Sequence, residues 1–151
     1  MEMKKIILFV LFVVSTSVWA HDEGHGPRLT DAPRYGGVVA PVIQAENARL
    51  GRKAPLVYKG ELLRSEDGTV RVYLYTTQMK PLALPKFEKK GKAVFETKGN
   101  TGWEKQEFQL ALTGNAFVGK LPKGNIRKPY NIDVLVTESG KTYLVAFDNL
   151  D

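Results

Sequence analysis

The chain has 151 residues, no cysteine and a formal net charge of +6, from 22 basic and 16 acidic side chains. That length suffices for the core of one domain. Without cysteine the domain has to be held by packing, and a disulfide framework, a thiol nucleophile and a lipid-attached cysteine are all excluded. The excess positive charge lies in scattered clusters, Lys86, Lys89, Lys90 and Lys92 in one and Lys120, Lys123, Arg127 and Lys128 in another. Aromatic residues are not interleaved with them in the way that stacking on single-stranded bases would want, so these clusters read as a solvated face, with no nucleic acid as partner.

Residues 1–20 have the three parts of an export signal. Lys4 and Lys5 give a positive start, Ile6 to Val14 is an unbroken apolar run, and Val18-Trp19-Ala20 supplies a small residue before the cut. The apolar run falls well short of the roughly 20 residues needed to span a bilayer, which favours a cleaved signal peptide over a membrane anchor. Cleavage after Ala20 makes His21 the mature N-terminus, leaves no transmembrane anchor, and places the product in the periplasm or outside the cell. The expected organisation is a signal peptide at 1–20, a flexible His-containing arm at 21–36 and one domain at 37–151.

The arm is polar and broken by Gly and Pro, with no apolar period. Val38, Val39, Val42 and Ile43 then suggest a first strand interrupted at Pro41. Gln44 to Leu50 has room for a short helical turn. Thereafter the pattern alternates with period two. Ala54, Leu56, Tyr58, Gly60 and Leu62 share a face, Glu66-Asp67-Gly68 has turn chemistry, and Val70, Val72 and Leu74 complete a hairpin. Two prolines in Met79 to Pro85 mark a crossover, and Ala93 to Thr97 reads as a short strand. Phe108, Leu110 and Leu112 turn through Gly114-Asn115 into Phe117, Gly119 and Leu121. Tyr130, Ile132, Val134 and Val136 turn through Ser139-Gly140 into Thr142 to Phe147. About seven or eight antiparallel strands predict an all-β fold, an immunoglobulin-like β-sandwich, with a small barrel as the competitor.

Nucleophilic catalysis has little to work with. Beyond the signal the only serines are Ser65 and Ser139, both in turns, and the only histidines are His21 and His25. The expectation is therefore that the protein is not an enzyme. The two histidines instead flank Asp22 and Glu23 at the start of the mature chain. A free α-amino group on His21 chelates together with its own imidazole, and His25, Asp22 or Glu23 can complete the site. Amine and imidazole nitrogens favour Cu(II), with Zn(II) behind. Both must be deprotonated to bind, so affinity falls in acid. The bland alternative is a charged leader whose histidines do nothing. Tyr73 and Tyr75 on the outer face of their strand, Met79 at the crossover and Trp103 in its loop form a candidate interaction surface.

Several stretches taken in order carry a resemblance. They are Arg34-Tyr35-Gly36-Gly37-Val38-Val39, Val70 to Tyr75 followed by Met79-Lys80-Pro81-Leu82, Lys128 to Val134, and Gly140-Lys141-Thr142-Tyr143. Together with the His/Gly-bearing leader they make the chain resemble the small N-terminal β-sandwich domain of CzcB-like periplasmic heavy-metal efflux adaptors. The resemblance implies a periplasmic domain associated with binding or sensing divalent metal near components of an efflux system. Of that family's ligands only His21 and His25 carry over, by their place in the leader. The lipoyl-like, barrel and helical-hairpin parts of a complete adaptor are expected to have no counterpart here.

Overall fold

A computed structural model describes residues 24–123 and 128–151. Eight strands run in chain order: β1 (Val38–Gln44), β2 (Tyr58–Arg64), β3 (Thr69–Tyr75), β4 (Lys90–Lys98), β5 (Trp103–Thr113), β6 (Ala116–Lys120), β7 (Tyr130–Glu138) and β8 (Lys141–Leu150). A 3₁₀ segment, Ala45–Lys53, follows β1. The three hairpins form at the turns the sequence marks: Glu61 pairs with Tyr73 across β2–β3, Leu112 with Phe117 across β5–β6, and Val136 with Tyr143 across β7–β8.

The all-β expectation holds, but the sandwich does not. All pairings are antiparallel, and the strands close into one barrel in the order β1-β2-β3-β6-β5-β4-β7-β8. The closing seam joins Val42 of β1 to Val145 of β8, while β1 also pairs with β2, Val38 lying opposite Leu62. Alternation buries one face of every strand whether a sheet folds onto a second sheet or rolls up on itself. Only the pairing of the first strand with the last separates the two. Pro41 sits within β1, opposite Lys59, and the β8 pairing begins one residue later at Val42. That position lets a residue without an N–H stay in the strand.

The interior is one cluster to which every strand contributes. Val42, Leu62, Val72, Ala93, Leu110, Phe117, Val134 and Val145 are among its buried members. The β3–β4 connection plugs one end of the barrel. Phe87 lies 6.3 Å from both the Tyr58 and Phe117 rings, and Leu82 and Leu84 pack beside it. A second, small cluster lies outside the wall, where Ile43, Ala54 and Leu144 are covered by Ala45 and Ala48 of the 3₁₀ segment. Among the described residues no helix is long and apolar enough to cross a membrane.

Candidate functional site

The leading segment runs along the outside of the barrel. Gly26 donates its N–H to the Gly51 carbonyl at 2.9 Å, and a Cβ at Gly26 would lie 2.9 Å from Pro41. The next residue back is one of the expected ligands. His25 Nδ1 stands 3.0 Å from the carbonyl oxygen of Ala48 in the 3₁₀ segment. A carbonyl only accepts, so Nδ1 must carry the proton. In the neutral ring this leaves the lone pair on Nε2. His25 borders a groove of about 260 Å³ between the leading segment and the wall, with Arg28, Arg52 and Asp148 also on its lining. His21, Asp22 and Glu23 lie outside the described residues. Among the described residues no three His, Asp or Glu side chains gather as a metal cluster.

Further along, residues 31–37 form a strap across the outer face of β2 and β3. Asp31 meets Lys59 Nζ at 2.7 Å. Arg34 lies with its guanidinium carbon 5.9 Å from the Tyr75 ring centre and donates from Nη1 to the Met79 carbonyl at 3.0 Å. Tyr35 stacks on Tyr73 with ring centres 4.3 Å apart. Beneath the strap is Glu61, a fully buried carboxylate on the outward side of β2. Its Oε1 accepts the N–H groups of Tyr35 and Gly37 at 2.8 and 3.0 Å. Its Oε2 accepts the Arg34 N–H at 3.0 Å and the Tyr75 hydroxyl at 2.8 Å. Burial pushes this carboxyl up, but the Gly37 N–H, the Tyr75 hydroxyl and the Tyr35 and Arg34 N–H groups outweigh it and leave the pKa lowered. The Tyr75 hydroxyl moves the other way, raised by burial and by the carboxylate it donates to. Gly37 has to be glycine, because a Cβ there would collide with the Leu62 carbonyl.

These contacts change the standing of the expected aromatic surface. Tyr75 does point outward from the barrel, yet the strap leaves it only 2% exposed. Tyr73 is half-buried under Tyr35, and Met79 turns the chain at φ 60° and offers its carbonyl to Arg34. Trp103 stays 42% exposed at the start of β5, on a different part of the wall. The four residues therefore do not form one patch. Tyr73, Tyr75 and Met79 serve the strap, and Trp103 stands apart.

One further site is absent from the sequence reading. At the barrel end away from Phe87 is a cavity of about 560 Å³, lined among others by Val38, Leu62, Arg64, Lys128 and Tyr130. Arg64 Nη1 donates to the Tyr130 hydroxyl at 2.7 Å, and the guanidinium carbon sits 5.4 Å from that ring's centre. The Tyr130 ring is buried in the barrel, so it fixes Arg64 at the mouth. Arg64 ends its strand and Tyr130 starts another 66 residues later, so no local pattern brings them together. No protein-family model, no curated protein and no solved structure matches this chain.

Proposed function

We propose that this is an exported, periplasmic metal-binding or metal-handling protein, accessory to heavy-metal efflux, whose ligands sit in the leading segment while the barrel carries them. The observation that supports this reading most is the Nδ1 contact of His25 with the Ala48 carbonyl. Metal-bound histidines almost always donate their other ring N–H in this way, which fixes the tautomer and the ring's orientation. Here that leaves Nε2 as the donor to a metal, four residues from the amine and imidazole of a processed His21. Cu(II) is the preferred ion by ligand type, with Zn(II) second.

The test is a Cu(II) and Zn(II) titration of the processed protein beside His25→Ala and His21→Ala variants, with an intact mass to establish that His21 is the N-terminus. Submicromolar Cu(II) binding that weakens at least ~30-fold in each variant is the expected result. Equal, millimolar binding in all three would sink the proposal.

A second reading is a non-metal interaction protein of the cell envelope. The cavity at the barrel mouth favours it, since Arg64 is held in place there by Tyr130. Small-molecule sites commonly sit in the mouths of β-barrels. Metal titrations that show no binding, together with a loss of partner capture in Arg64→Ala, would leave this reading in place of the first.

A further inference from the structure

The barrel wall has a gap in its hydrogen bonding along β5. From Trp103 to Ala111 this strand pairs with β4 on one side, but only Ala111, Leu112 and Thr113 pair with β6 on the other. Among the described residues, no strand pairs with the second edge of residues 104–108. Which backbone groups face that edge follows from two contacts. The Leu112 N–H bonds the Lys89 carbonyl, so Leu112 and, by alternation, Leu110, Phe108, Gln106 and Glu104 direct their N–H and C=O toward β4. The Gln109 carbonyl points the other way, toward β6, where a Cβ on Gly119 would lie 2.6 Å from it. Glu107 and Lys105 thus present their backbone donors and acceptors to the open edge.

An open edge is a template for another strand. The side chains along this one select a second copy of the same chain. A two-fold axis normal to the sheet has to centre on a residue opposite itself. Centring on Lys105 puts lysine against lysine, and centring on Glu107 puts glutamate against glutamate, which is destabilising. Centring on Gln106 sets Lys105 of each copy opposite Glu107 of the other. Both of these residues have edge-facing backbone groups, so they become a hydrogen-bonded pair, and the Gln106 pair is the close, non-hydrogen-bonded kind.

The charges already in place extend into this arrangement. On the outer face of the wall Lys105 Nζ meets Glu96 Oε1 at 2.9 Å, and Lys92 Nζ meets Glu107 Oε1 at 3.2 Å. The joined edges continue these pairs into an alternating ladder: Lys92 and Glu107 of one copy, then Lys105 and Glu96 of the other. The interface is isologous and closes as a dimer, so it does not propagate into a fibre. We infer that the protein forms a two-fold homodimer through antiparallel pairing of its β5 edges, centred on Gln106.

The chain has no cysteine, which makes the register directly testable. At the centre of the two-fold the two Gln106 Cα atoms would stand about 4.5 Å apart, within disulfide reach. The two Glu104 Cα atoms would be about 14 Å apart, well beyond it. Gln106→Cys is therefore expected to oxidise to a disulfide-linked dimer, and Glu104→Cys to stay monomeric on denaturing gels under the same conditions. Light scattering on the protein purified from cells expressing the full chain should give twice the protomer mass at ~100 µM. Glu107→Pro removes an N–H that faces the open edge, where no strand among the described residues pairs with it. It should raise the dimer dissociation constant at least ~10-fold while leaving the circular dichroism spectrum intact. A monomeric wild type, equal cross-linking of the two cysteine variants, or a dimer indifferent to Glu107→Pro would each overturn the inference.

Discussion

Replacing Glu61 with glutamine tests whether the strap is held by one buried carboxylate. The side chain keeps its shape and Oε1, with the bonds from the Tyr35 and Gly37 amides. It loses the charge and turns an NH2 group toward the Arg34 amide, which can only donate. The Tyr75 hydroxyl can reverse its role and accept, so the net loss is one bond broken and three weakened from charge-assisted to neutral. Bonds to a charged group contribute about 1.5–3 kcal/mol and neutral ones about 0.5–1.5, and the low ends of both ranges put Glu61→Gln at about 4–5 kcal/mol. The loss has a ceiling, because a strap that lifts off lets its amides bond to water. Urea unfolding measures the stability change, and hydrogen exchange at Arg34, Tyr35 and Gly37 shows whether the strap has lifted. A change below about 0.5 kcal/mol, with exchange at those three amides unaltered, would refute the reasoning. The pH dependence has a definite sign. The folded carboxyl titrates below its ordinary value of 4.5, so its stabilisation is complete above that value and is lost as pH falls through the lowered one. The gap between wild type and Glu61→Gln should therefore be constant near neutrality and begin to close as the pH falls below the ordinary value of 4.5.

Three further outcomes follow from single contacts. Gly37→Ala forces a methyl group against the Leu62 carbonyl and should destabilise by about 2 kcal/mol in the same urea assay. Tyr58, pushed up to about 12 by burial and by donating to Glu138 at 2.9 Å, should resist ionisation. Its absorbance near 295 nm should rise only at that pH, and a normal phenol titration near 10 would contradict the contact. Asp67 accepts the N–H and hydroxyl of Thr69, both at 3.0 Å, and lies 3.2 Å from Lys120 Nζ. Together these lower its carboxyl to about 2. An NMR titration should find it ionised down to that pH, and Thr69→Val should raise it toward the ordinary range.

The sequence by itself determined the local half of this structure. Alternation placed Leu62, Val70, Val72, Leu110, Phe117, Val134 and Val136 inward, and Glu66-Asp67-Gly68, Gly114-Asn115 and Ser139-Gly140 marked the turns that pair neighbouring strands. These signals are local because a hairpin's register is set by its own turn and its own apolar face. The apolar segment at 1–20 and the paired histidines after it are likewise legible without a fold, though residues 1–23 lie outside those described. Tertiary structure alone decided what depends on distant partners. A sandwich and a barrel bury the same alternating residues, and only the Val42–Val145 seam tells them apart. Glu61, Lys59 and Tyr75 occupy outward positions that alternation assigns to solvent, and they are buried because residues 31–37 return over them. Nothing within β2 or β3 announces that cover. The Arg64–Tyr130 pair and the contact of His25 with Ala48 bring together residues 66 and 23 positions apart, and the open edge of β5 exists because β6 is too short to cover it. Side-chain pattern fixes which way a residue faces, and chain closure fixes what it then meets.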